Sequence, residues 1–406
     1  MNESSSLTLP EILEPTTPQA VLDNVDRVRE LVLAEADRSD AEGRLSPIVA
    51  QAFRDAGFFQ MGFAKRVGGL EMTVLDQVRV TARISRLDSG AGWNVGVLNA
   101  TGIYASRLPR EVYDKLYPTR DLPTSGSFHP RGHAERVADG YLVSGEWDWG
   151  SGSHIAEYVI GGCEIFENGQ PVLKPNGKQL FLGLWLPLER ITWKENWNVL
   201  GQRGSGSRSY SIDEPVFVPE GHGFDREPDP DPDTDPLSKH VTTVFYALGG
   251  VHLGLAQRAV DLAYEAVMHR ADGNPSAIDA ATKRSLGQAI AEVDVAASYV
   301  MDVARRTDEV IFTPGRVLDP VEEARQDSVN LMTGRALRRA IELCTELYGS
   351  YFVYDGNPLQ RVVRDTEVAL THAGARPMHW IRTADTALRE AAGAVTLFDD
   401  PLVSSS

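Results

Sequence analysis

Cysteine is nearly absent: Cys163 and Cys344 are the only two among 406 residues, far apart and outside any metal-ligand spacing. That excludes a disulfide framework and a cysteine zinc centre, and leaves two buried thiols as the expectation. Long apolar runs are missing too. No segment is apolar for long enough to span a bilayer, and Met1-Asn2-Glu3-Ser4-Ser5-Ser6 lacks the basic flank and apolar core of a secretion signal, so a cytoplasmic location is expected. Positive charge is in deficit. Lys and Arg number 40 against 57 Asp and Glu, a formal net charge of -17 with no basic cluster to offset it, which argues against nucleic acid and membrane partners. A strand-linked Gly-x-Gly-x-x-Gly is also lacking, so nothing marks an NAD(P)H site.

What remains is a chain with 42% hydrophobic and 24% charged residues, enough to bury two or three cores. Its texture changes along its length. Gln19 to Ala36 is helical and charged, Leu45 to Phe59 repeats apolar residues on one face until Gly57 breaks it, and Lys65 to Leu70 reads as a loop. Thr73 opens a helix toward Leu87, another is expected after Trp93, and Leu108-Pro109 begins one more. From Pro123 short β-favouring runs alternate with Gly, Asn and Pro turns: Tyr141–Val143, Tyr158–Ile160, Leu180–Leu182 and Val216–Val218. Asp225 to Pro236 alternates Asp with Pro and reads as an exposed connector; the alternative, a calcium loop, lacks the glycine turn and terminal Glu of an EF-hand. Beyond it Val244, Leu248, Val251, Leu255, Ala259 and Leu262 share one helix face, Ile290 to Val300 repeats the pattern, and Val329–Leu347 and Ile381–Ala394 add two helices. The expected organisation is a helical domain (1–120), a β-barrel domain (121–224), an acidic Pro-rich linker (225–237) and a four-helix bundle (238–406): α+β, mainly α.

This order of elements resembles the acyl-CoA dehydrogenase fold. Leu45 to Leu70 is similar to that fold's early helix, glycine stop and Gly-Gly-Leu loop, and Trp197-Asn198-Val199-Leu200-Gly201-Gln202-Arg203-Gly204-Ser205-Gly206-Ser207 resembles its hallmark loop between barrel strands. Within the fold, Gly92-Trp93-Asn94-Val95-Gly96, Trp147-Asp148-Trp149-Gly150-Ser151-Gly152-Ser153 and Arg364-Asp365 followed by His372 look most like the two-component flavin monooxygenases, such as the oxygenases that hydroxylate para-hydroxyphenylacetate and seco-steroids. The resemblance implies that a separate NAD(P)H:flavin reductase supplies reduced FMN or FAD. The oxygenase combines it with O2 as a C4a-hydroperoxyflavin, and one oxygen atom passes to a small organic substrate at carbon, nitrogen or sulfur. A homotetramer is implied as well.

By the same resemblance His372 stands beside the flavin, where an imidazole can manage a proton near neutral pH. Ser151, beside Trp149 in a small-residue turn, is implied to bond flavin N5. Phe128, His129 and Pro130 match the loop along the isoalloxazine. Arg270 falls where related enzymes bind the flavin phosphate, often across a subunit interface, and Gly273-Asn274 in place of an Arg-x-x-Phe-Gly pattern favours FMN. Arg203, Ser205 and Ser207 form a site wall. Trp93, Asn99, Thr101 and Tyr104 are the candidate substrate contacts. No His stands between Val97 and Tyr104, which weakens phenol hydroxylation unless His129, His133 or His379 approaches from elsewhere.

Two other readings compete. An FAD-dependent acyl-CoA dehydrogenase or desaturase needs a carboxylate base, and Ala373 and Thr243 occupy the two positions where that family carries one; Asp355 or Glu367 would have to replace it. A non-catalytic descendant that keeps only the scaffold is the third.

Overall fold

The computed structural model describes residues 8–241 and 246–390. Thr243, Val244 and the stretch from 391 to Ala394 lie outside them.

Seven helices come first: α1 (Pro18–Arg27), α2 (Arg29–Glu42), α3 (Pro47–Asp55), α4 (Val74–Leu87), α5 (Ser89–Leu98), α6 (Thr101–Ala105) and α7 (Arg110–Leu116). The run from Gln19 to Ala36 is two helices rather than one, meeting at Val28. The helix near Trp93 begins before it, because the Asp88 carboxylate accepts the Ala91 N–H at 2.7 Å and starts α5 at Ser89. Phe53, Phe58, Phe59, Met61, Ile84 and Leu98 pack together without solvent contact. At about 1.5–3 kcal/mol for each large apolar side chain buried, this cluster fixes α5 against α3 and α4.

One mixed sheet follows: β1 (Thr124–Val137), β2 (Gly140–Gly150), β3 (Tyr158–Glu167), β4 (Gln170–Pro171), β5 (Phe181–Leu186), β6 (Thr192–Trp193), β7 (Arg208–Pro219) and β8 (Gly223–Phe224). Its order is β6-β7-β2-β1-β3-β5-β8, with β4 on β3; β1 and β3 run parallel and the other pairs antiparallel. Among the described residues no pairing joins β6 to β8, so the expected barrel is corrected to an open sheet. Both terminal strands are two residues long, too short to supply a ladder that closes the curve. Trp147 fills the centre, stacked on Tyr210 at 5.2 Å with its indole N–H donated to the Gly162 carbonyl at 2.8 Å. Cys163 is buried beside it and Cys344 is buried in the bundle; both are free thiols.

The acidic connector is held more firmly than its composition predicts. Arg66 pairs with Asp235 at 2.7 Å, Lys174 with Glu227 at 2.6 Å, and Arg107 donates to the Ser238 carbonyl. Cations from both preceding regions offset part of its charge. The chain then forms α8 (Tyr246–Arg270), α9 (Ala280–Ile311), α10 (Pro320–Tyr348), α11 (Pro358–Ala369) and α12 (Met378–Glu390). Asp308 on α9 ties this part to the first helices by accepting the Val74 and Leu75 N–H groups at 2.7 and 3.1 Å, which completes the N-terminus of α4. Burial pushes its carboxyl up to about 6.

Candidate functional site

Three segments distant in sequence meet at the Ser151 hydroxyl. It lies in the turn after β2, where Trp149 holds a left-handed backbone (φ 63°) and Gly152 another (φ 70°). Such a φ strains a bulky residue, and at Trp149 the strain accompanies an indole 60% exposed beside a buried hydroxyl. Gly152 admits no side chain: a Cβ there would stand 2.6 Å from Leu98 Cδ1 and 3.1 Å from Asn94 Oδ1. α5 brings Trp93, whose indole N–H donates to Ser151 Oγ at 3.0 Å. The hallmark loop brings Ser207 Oγ to 2.7 Å from Ser151 Oγ and Ser205 Oγ to 2.8 Å from Ser207 Oγ, while Gly152 N–H donates to the Ser205 carbonyl at 2.9 Å. Ser125 on β1 donates its hydroxyl to the Ser151 carbonyl at 2.7 Å.

His372 also meets Trp93. It follows α11, its ring meeting the Trp93 indole edge-on at a centroid distance of 5.7 Å. Gly374 N–H donates to His372 Nδ1 at 3.1 Å, so in the neutral ring the proton sits on Nε2. Burial, with Arg376 and His379 adding positive charge, holds the imidazole down to about 4. The ring is therefore neutral at physiological pH and presents an N–H donor.

Asp365 anchors both sides. Its carboxylate accepts the Ser89 hydroxyl at 2.5 Å and the Gln202 N–H at 2.6 Å, and Arg364 donates to the Leu200 carbonyl at 2.8 Å. Gly201 lies so close to α11 that a Cβ would meet the Arg364 carbonyl at 2.2 Å. The Arg-Asp pair thus locks α11, and with it His372, to the serine loop. Burial raises the Asp365 carboxyl to about 6.

The other predicted residues are distributed differently. Phe128 lies on β1, about 10 Å along the strand from Ser125, in an aromatic group with Tyr104 (4.5 Å) and Phe224 (5.5 Å) under the Arg226 guanidinium. Burial raises the Tyr104 phenol above its ordinary range. His129 is exposed and Pro130 half-buried on the same strand. Asn99 donates to Gln77 at 2.6 Å, and Thr101 donates to the Leu98 carbonyl while accepting the Thr124 N–H, so both hold α5 and α6 to their neighbours. Arg203 donates to the Val199 carbonyl and braces its own loop. Arg270 caps α10 by donating to the Leu347 and Tyr348 carbonyls; along α8 it stands about 27 Å from His252. His379 lies against the Ala373 carbonyl in the His372 turn, whereas His133 stacks on Phe166 at the far end of β1.

His252 escaped the sequence reading. It is fully buried, with Nδ1 3.0 Å from Thr333 Oγ1, and burial and the nearby His372 hold it down to about 4. A single His on an otherwise apolar helix face carries no distinguishing signal. Asp365 as the common anchor was equally hidden, since its partners lie 163 and 276 positions away.

Among the described residues, the two carboxylates that could replace a desaturase's base are both engaged elsewhere. Asp355 and Glu367 are exposed, paired with Gln360 and Arg338, and Asp365 is engaged as described. A hydroxyl that can donate or accept, a neutral imidazole and an exposed indole in a left-handed turn suit the polar edge and flat face of a flavin ring, so the residues present fit that cofactor.

The acyl-CoA dehydrogenase N-terminal domain model matches residues 16–108 and its C-terminal domain model residues 246–377. The chain is 30% identical over 374 residues to indole-3-acetate monooxygenase of Pseudomonas putida, covering 87% of this chain and 89% of that protein. It is 24% identical over 373 residues to the flavin-dependent monooxygenase oxygenase subunit HsaA of Rhodococcus jostii, covering 88% and 94%. The structure of XiaF from Streptomyces sp., in complex with FADH2 and glycerol, shares the fold with a TM-score of 0.82 at 21% identity, covering 91% of this chain and 95% of that one. The chain belongs to the oxygenase components of two-component flavin-dependent monooxygenases, built on the acyl-CoA dehydrogenase fold.

Proposed function

We propose that this protein oxygenates a small organic substrate with O2 and reduced FMN or FAD delivered by a separate NAD(P)H:flavin reductase, and that the flavin ring lies between Ser151 and His372. The observation that carries this reading is the convergence of a buried hydroxyl and a neutral imidazole on one indole, Trp93. When bound, reduced flavin supplies the electron pair that activates O2. Ser151 orients the ring through its hydroxyl. His372 holds a proton at Nε2 beside the reacting atoms, and its depressed basicity keeps it a neutral donor across physiological pH. Burial of the serines limits water at that edge, which favours oxygen transfer over release of hydrogen peroxide.

Tyr104, Phe128 and Phe224 support an aromatic or otherwise flat substrate. A homotetramer is supported by exposed apolar side chains at both ends of α10: Met378, Ile381 and Leu388 on α12, which packs on its N-terminal half, and Tyr351, Val353 and Tyr354 just after its C-terminus. Arg270, at that C-terminus, is the proposed phosphate contact of a flavin bound by another copy.

The test mixes anaerobic protein and reduced FMN or reduced FAD with oxygenated buffer and records the flavin spectrum. Reoxidation several-fold slower than that of free reduced flavin, in more than one phase, is expected. Reoxidation at the free rate, with tight binding of oxidised FAD and bleaching by an acyl-CoA, would instead make it a dehydrogenase.

A further inference from the structure

The three serine hydroxyls form a chain whose hydrogen-bond direction is not fixed by the protein. Trp93 Nε1 can only donate, so Ser151 Oγ always accepts from it. Between Ser151 and Ser207 (2.7 Å), and between Ser207 and Ser205 (2.8 Å), either oxygen can be the donor. All three side chains are at most 5% exposed, so water is a poor substitute partner. The chain has two states. In one, Ser151 donates to Ser207 and Ser207 to Ser205, leaving Ser151 Oγ a lone pair to offer a ligand. In the other the two hydroxyl–hydroxyl bonds reverse, Ser205 donates to Ser207 and Ser207 to Ser151, and the Ser151 proton points at the ligand.

A flavin demands both states in one catalytic cycle. Its N5 carries a hydrogen when the ring is reduced and a bare lone pair when it is oxidised. Resting on the reading that Ser151 meets N5, we infer that Ser207 and Ser205 are positioning residues that let Ser151 change from acceptor for reduced flavin to donor for oxidised flavin. Each state keeps every bond within the Ser151–Ser207–Ser205 chain, with no exchange of protons between residues and no net charge movement. The relay makes a specific asymmetry. Without the Ser207 hydroxyl, Ser151 still donates to oxidised N5 while accepting from Trp93. Facing reduced N5–H, its own proton loses the acceptor that Ser207 provided, and a buried donor is left unmade.

The experiment is an anaerobic binding titration of oxidised and reduced FMN and FAD, followed by flavin fluorescence and absorbance, on the full chain. Wild type, Ser207→Ala, Ser207→Thr and Ser151→Ala are compared, with thermal unfolding to verify that each is folded. Ser207→Ala is expected to weaken reduced flavin about tenfold while leaving oxidised flavin within about twofold, and Ser207→Thr to restore the wild-type ratio. Ser205→Ala, which removes only the far end of the chain, should shift the ratio in the same direction by less; this smaller variant decides the matter if Ser207→Ala fails to fold. An equal change in both redox states, or none, overturns the relay. If Ser151→Ala affects binding while Ser207→Ala does not, the relay falls and the site stands. Should Ser151→Ala alter neither redox state, Ser151 leaves the cofactor site and the relay goes with it. Failure of the wild type to bind any flavin refutes the functional reading itself.

Discussion

The two sides of the candidate site are built on opposite plans. On the serine side, Ser151, Ser207 and Ser205 are almost completely buried and interlocked, and their arrangement depends on Asp365, 163 positions beyond Gln202. On the histidine side, His372 is half-buried, and the bond that sets its tautomer comes from Gly374, two residues away. The first side is held by long-range packing, whereas the second is a local turn hung on the end of α11. Removing the long-range anchor of the serine side should therefore cost stability, whereas perturbing the histidine turn should change chemistry and little else.

The largest expected effect is chemical. His372→Ala should lower product formed per reduced flavin by about a hundredfold, the scale of a lost proton donor, with hydrogen peroxide release rising in its place. Its thermal midpoint should stay near wild type, and unchanged coupling would remove His372 from the mechanism. Asp365→Ala sharpens the contrast from the other side. It strips the acceptor from Ser89 and from the Gln202 N–H, both buried, and should cost about 2–4 kcal/mol in denaturant unfolding. Asp365→Asn, which can still accept from Gln202, should recover part of that loss.

Gly152→Ala comes next, at about 1–3 kcal/mol, because the alanine must hold a left-handed φ and press its methyl on Leu98. A normal stability for this variant would mean that the Ser151 turn is more pliable than the packing indicates. The smallest effect concerns protonation. With ordinary His near 6.5 and both rings pushed to about 4, His372 and His252 should remain neutral as pH falls through 6 and charge only below about 5. Ring-nitrogen shifts in histidine-labelled protein follow this directly; a midpoint near 6.5 assigned to His372 would show that its ring is not desolvated.

How much was readable depended on the range of the contacts. The helices of the first and last regions were legible because their apolar spacing is local, although the break at Val28 was not, as no Gly or Pro marks it. The short strands were legible as a class, but closure was not, since it depends on whether two-residue strands β6 and β8 find each other. His372, Ser151 and the hallmark loop were visible as motifs. Asn99 and Thr101 looked like substrate contacts because they follow Trp93; a helical register turned both into internal hydrogen bonds.

By itself the sequence determined the element types, the absence of a metal-binding or disulfide cysteine framework, and the residue kinds at the motifs proposed to face the flavin, because periodicity, turn chemistry and short motifs are properties of neighbours in the chain. Only the tertiary structure decided that the sheet stays open, that Asp365 joins both sides of the site, and that three serines share one hydroxyl chain around Trp93. Those outcomes depend on burial and on bonds of 2.5–3.0 Å between segments more than fifty residues apart, and no local pattern encodes such distances.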